Sequence, residues 1–195
     1  MEEPEPPPSR QILIRPASGN RFEVRYSGDR STGEANGLEI ASAVIYFLNE
    51  SGEQWGAPRE TEELDRGADM IAYGPAGKLR LQITRVPWNP ELWAEIGRLG
   101  HAATVQSADE AAGDLITVIR AKAAKYSSVD RASLVLVLDG TRTPSYDLPP
   151  TLAAFRHLHL AEALETGFED IFLVGLVRFI NLLNPPQGPE WFSVA

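Results

Sequence analysis

Cysteine is absent from all 195 residues. That excludes a disulfide framework, a thiolate zinc site and a thiol nucleophile together. Long apolar runs are absent too: no uninterrupted stretch reaches the roughly 18 residues of a membrane-spanning helix. The opening residues MEEPEPPPSR contain no apolar segment of the kind a secretory signal needs, so the expected location is cytoplasmic and no membrane partner is expected. No G-x-G-x-x-G or P-loop pattern occurs, which leaves a Rossmann-type domain without its phosphate cradle, and no serine stands in a G-x-S-x-G setting. Histidine is scarce. His101 is isolated, and His157 and His159, at i and i+2 of a predicted helix, point about 200° apart, so they do not make a metal pair. Positive charge is also short, with 18 Lys and Arg against 27 Asp and Glu, a net charge of −9. Such a surface repels phosphate backbones on average, and contact with nucleic acid calls for a local basic cleft or bound cations.

What is present is the composition of a folded protein, 43% hydrophobic and 23% charged. The length suits one core better than two. Residues 1–10, with four prolines and three glutamates, read as a flexible tail, and 11–195 as a single α/β domain.

QILIRP and RFEVRYSG alternate as strands of a hairpin. Residues 38–50 place Leu38, Ile40, Ala41, Val44, Ile45, Phe47 and Leu48 on a broad apolar face, predicting a helix. A second hairpin follows, 69–73 and 79–86, around the turn GPAGK. In its second strand Gln82 shares a face with Arg80 and Thr84, which predicts either a solvent face or a shallow polar cleft. Asn89 and Pro90 open a helix as N-cap and first-turn proline. Ser107 with Glu110 is a capping-box signature for a long helix running to Tyr126, whose apolar residues include Leu115, Val118 and Ile119. LVLVLDG, 134–140, reads as a central strand buried on both faces, with parallel pairing. A helix from Thr151 to about Glu165 and the strand FEDIFLVG complete a strand, helix, strand repeat. The closing RFINLLNPPQGPEWFSVA predicts one helical turn, with Trp191 and Phe192 packing back on the body.

This order of helix, hairpin, helix, buried strand, helix and strand resembles the PD-(D/E)xK nuclease superfamily, the restriction-endonuclease-like fold, over roughly residues 37–175. The resemblance implies a mixed central sheet flanked by helices, and a site with a glutamate on the first helix, an aspartate opening the second core strand, and an acid or glutamine, any residue, then lysine on the third. The matching positions are Glu39, Asp69 in Ala68-Asp69-Met70-Ile71, and Gln82-Ile83-Thr84. Thr84 stands where the family's lysine would be. The helix ending IRAKAAKY offers Lys122 and Lys125 for that role. By this resemblance Asp69, Gln82 and Glu39 would hold Mg2+ or Mn2+ and the lysine would serve the nucleophile. Gln82 supplies a neutral carbonyl rather than a charge, which predicts weaker metal binding than a fuller acidic site. The function implied is phosphodiester hydrolysis of nucleic acid by a divergent nuclease, or a related scaffold that has lost cleavage.

The same residues have plainer readings. Asp69 can end a turn, and Glu39 can be a solvated first-turn acid favoured by the helix dipole. Asp139-Gly140-Thr141-Arg142 follows a buried strand, where ligands often sit in α/β sheets, but Asp-Gly is also a common turn pair. Trp88 and Trp93, with Leu92 and Ile96, lie near the hairpin exit and offer an aromatic surface to a protein partner if exposed. The competing function is therefore a non-catalytic accessory or regulatory module that meets a protein through its acidic surface and tryptophans.

Overall fold

The structure, a computed structural model, describes residues 11–16, 21–27, 37–61, 67–99, 101–143, 145–175 and 179–184. The proline-rich residues 1–10, Trp191 and Phe192 lie outside the described residues.

The core is a six-stranded mixed sheet made of β3 (Arg59–Glu60), β4 (Met70–Gly74), β5 (Gly77–Arg85), β7 (Val135–Asp139), β8 (Asp170–Val174) and β9 (Phe179–Asn181), paired in that order. β4 and β5 form the antiparallel hairpin, with Met70 opposite Leu81 and Gly74 opposite Gly77. β5 then pairs in parallel with β7, Gln82 beside Leu136, and β7 pairs in parallel with β8. Every residue of β7 is buried, as its unbroken apolar run requires.

Strand alternation divides the core into two layers. Met70, Ala72, Leu79, Leu81, Val135 and Val137 face α1 (Gly37–Glu50), whose Ile40, Ala41, Val44, Ile45 and Leu48 cover them. Ile71, Leu134, Leu136, Leu138, Ile171 and Leu173 point the other way. They meet α3 (Ala108–Ala123), α5 (Pro149–Leu158) and α6 (Leu160–Glu165) through Leu115, Ile119, Leu152, Phe155 and Ala163. The capping box of α3 is present, Ser107 accepting from the Glu110 backbone and Glu110 accepting from the Ser107 backbone.

A smaller antiparallel sheet joins β1 (Gln11–Pro16), β2 (Arg21–Ser27) and β6 (His101–Ser107), with β2 central. α2 (Pro90–Leu99) links β5 to β6, and its first turn is capped by Asn89 Oδ1, which accepts from the Glu91 N–H at 2.9 Å.

Three expectations change, and one strand forms where the sequence predicts no element. Residues 101–107, HAATVQS, form β6; their small side chains carry little strand signal, and pairing with β2 supplies it. The closing segment contributes the strand β9 rather than a helical turn, its backbone taken up by β8. The long helix stops at Ala123, and a short α4 (Ser128–Arg131) follows, capped by Ser127. The helix expected to reach Glu165 breaks at His159, whose φ of −131° is not helical.

Candidate active site

Asp69 sits one residue before β4, and its N–H donates at 2.8 Å to the carbonyl of Leu81, the residue that already pairs with Met70, so the backbone at Asp69 is tied beside Gln82. Both side chains emerge on the α3 face of the sheet, where Gln82 meets Tyr126 and Asp69 feels the Lys122 charge. Asp69 Oδ2 accepts two hydrogen bonds, from Gln82 Nε2 at 2.6 Å and from the Ile83 N–H at 2.8 Å. Its Oδ1 accepts none from any described residue.

Gln82 is only 4% exposed, while Arg80 and Thr84 on the same face are half-buried, so alternation there gives a polar cleft with Gln82 at its floor. A buried amide needs every polar atom satisfied. Here Nε2 donates to Asp69 and also to Ile83 O at 3.0 Å, and Oε1 accepts from the Tyr126 hydroxyl at 2.5 Å. The nitrogen lies against two acceptors, which fixes the amide orientation, because the reverse would set its carbonyl oxygen against a carboxylate and a carbonyl.

Lys122 and Tyr126 arrive from α3 and the turn after it. They continue the stripe of Leu115 and Ile119 to the rim of the sheet, at intervals of three and four residues. The Lys122 ammonium is half-buried. Burial pulls its pKa down, the Asp69 charge pushes it up, and Lys125 lowers it again. Burial conversely raises the Asp69 carboxyl above the usual carboxylate range, against the Ile83 N–H and the Lys122 charge, which both lower it. Burial and the Asp69 charge raise the Tyr126 phenol.

Sequence reasoning missed Tyr126. Its place four residues after Lys122 was a signal, and Gly67 is the other half of it. Gly67 has φ +88°, and a Cβ added there would come within 2.3 Å of the Tyr126 ring.

Asp69 and Gln82 are thus hydrogen-bonded to each other, and Lys122 is near enough for its charge to act on Asp69. Lys125 is exposed and acts on the group only through the charge of Lys122. Glu39 is exposed in the first turn of α1, the helix on the opposite sheet face, and shares no hydrogen bond with Asp69 or Gln82. Thr84 is half-buried two residues along from Gln82. Among the described residues, no three His, Cys, Asp or Glu side chains gather where they could hold a metal ion.

Two other sequence candidates resolve separately. Asp139 is committed to its own turn, accepting from the Thr141 N–H at 3.1 Å and hydroxyl at 2.6 Å, and its other oxygen meets Arg85 at 3.4 Å. Trp88 is 39% exposed and carries the Arg142 guanidinium 4.9 Å above its ring. It borders a pocket of about 250 Å³ with Asn89, Asp114 and Tyr146. The Trp93 side chain lies outside the described residues. No helix among the described residues is long and apolar enough to cross a membrane. The chain matches no protein-family model, no curated protein and no solved structure.

Proposed function

We propose that this chain is a divergent nuclease of restriction-endonuclease-like fold that hydrolyses phosphodiester bonds in nucleic acid with Mg2+ or Mn2+, Asp69 holding the metal and Lys122 facing the phosphate. The observation that carries this reading is the meeting of Asp69, Gln82 and Lys122 from two strands and a helix on one sheet face, with the ionisation of Asp69 and Lys122 mutually perturbed. A fold relic without a site has no reason to keep these groups together. The order α1, β4–β5 hairpin, α3 and β7, with β5 parallel to β7, supports the fold assignment.

The donor set fits a modest metal site. Mg2+ keeps several waters and is often held by one or two carboxylates plus substrate phosphate, and Asp69 offers one carboxylate oxygen not engaged by a described residue. When bound, the metal would polarise the phosphate and acidify water. The chain's own part is to fix Asp69 through two donors on Oδ2 and to present the half-buried Lys122 charge to the developing negative charge of the phosphate, where partial desolvation strengthens it.

The test is a Mg2+ and Mn2+ titration with labelled single- and double-stranded DNA and RNA. Cleavage is expected to fall about 100-fold or more in Asp69→Ala and in Lys122→Ala. Equal background cleavage by wild type and both variants sinks the nuclease reading. The alternative, an accessory module that binds a protein, is favoured by the exposed Trp88 with its stacked Arg142 and by the acidic surface. It predicts a partner whose binding fails in Trp88→Ala and persists in Asp69→Ala.

A further inference from the structure

We infer that Gln82 is a positioning residue rather than a metal ligand, and that Tyr126 is a second positioning residue that locks Gln82 in its working orientation. The catalytic consequence rests on the nuclease reading above; the structural relation does not. The side-chain carbonyl oxygen of Gln82 points to Tyr126 and accepts from its hydroxyl at 2.5 Å. Its amide nitrogen spans Asp69 Oδ2 and Ile83 O, so the side chain is turned donor-first toward the carboxylate. A metal ligand would have to be turned the other way. The result is a relay of fixed groups: the hydroxyl holds the amide, the amide with the Ile83 N–H holds Oδ2, and Oδ1 is aimed by default.

Tyr126 is itself held on three sides. Its ring lies over Gly67, where no side chain fits. Its hydroxyl lies 3.5 Å from Gly67 O. Its backbone carbonyl accepts from Arg131 Nη1 at 2.5 Å. A side chain this restrained loses little entropy in fixing Gln82, which is what a supporting residue around a functional group requires.

Tyr126→Phe separates the two roles by sign. It keeps the ring on Gly67 and removes only the hydroxyl. If Gln82 were a ligand, the variant would free its carbonyl, and Mn2+ binding measured by calorimetry would tighten or stay unchanged. As a positioning pair, the variant loosens the amide, and Mn2+ binding weakens about three- to tenfold, the effect of one lost hydrogen bond. A second readout needs no metal: water exchange of the Gln82 side-chain amide protons, followed by NMR. In the wild type both protons are hydrogen-bonded and are expected to exchange slowly. In Tyr126→Phe they are expected to exchange at least several-fold faster, with a shift of the Ile83 amide that shares Asp69 Oδ2. Unchanged exchange, or Mn2+ binding that tightens or stays unchanged, overturns the inference. If neither protein binds Mn2+, the nuclease reading fails while the exchange measurement still decides the role of Tyr126.

Discussion

At the residue scale the site depends on one backbone position that carries no side chain. Gly67 adopts φ +88°, a region in which other residues are strained, and it also seats the Tyr126 ring. Gly67→Ala is expected to lower stability by about 2 kcal/mol or more through strain and displacement together. The shift of the urea midpoint measures this, and a midpoint within error of wild type would show that the ring does not depend on the glycine. Asp69, Gln82 and Lys122 were legible because their chemistry was visible in isolation: an acid at a strand start, a polar residue on an alternating strand, and a lysine at a helix end. Tyr126 and Gly67 were not, since an aromatic at helical spacing and a glycine in a polar stretch have no special meaning until the fold brings them 59 positions apart into contact.

At the scale of elements, the end of α3 is held by a side chain from α4. Arg131 donates through Nη1 to Ala123 O at 2.8 Å and Tyr126 O at 2.5 Å, and through Nε to Thr166 O at 2.5 Å. Helix carbonyls left open after Ala123 thereby find donors from a cation, the sign favoured at a helix C-terminus. Arg131→Met keeps the apolar stem and removes the donors. We expect a loss of about 3 kcal/mol, from charge-assisted bonds worth roughly 1.5–3 kcal/mol each that do not add fully. Thermal unfolding tests it, and an unchanged melting temperature would mean that water serves those carbonyls equally well. The helices α1 and α3, the hairpin and the buried strand β7 were legible from periodicity and caps. β6, β9 and the break at His159 were not. Three residues of β9 are too few to show a period, HAATVQS draws its strand character from β2, and neither proline nor glycine marks the break.

For the whole molecule, the perturbed carboxyls set the pH response. Burial raises Asp69, Glu169 and Asp170 above their ordinary values of 3.8, 4.5 and 3.8; Asp170 adds to the rise at Glu169, and Glu53 to that at Asp170. A group with a raised folded pKa holds its proton longer in the native state than in the unfolded one, so stability falls as pH rises through that window. Lys122, lowered from 10.5, acts in the opposite sense in its own window on the alkaline side. Protonation in mild acid also relaxes the net charge of −9. The urea midpoint is therefore expected to be higher near about pH 5 than near pH 8, and a steady decline on acidification across that range would contradict it. Above about pH 10 a second decline is expected, because Tyr126 and Tyr146 resist ionisation in the fold while the unfolded chain loses both protons. Tyr146→Phe should flatten that alkaline limb. The sheet also changes pairing sense at β5, antiparallel to β4 on one side and parallel to β7 on the other. The first pairing closes a two-residue turn between Gly74 and Gly77, whereas the second must wait for the intervening chain from Arg85 to Val135 to be made and folded back. Loop closure of such different lengths gives the molecule a history. Asp69 and Gln82 are therefore expected to meet early, on a hairpin that a nascent chain already contains, and the half of the site that brings Lys122 and Tyr126 to be fitted to it later.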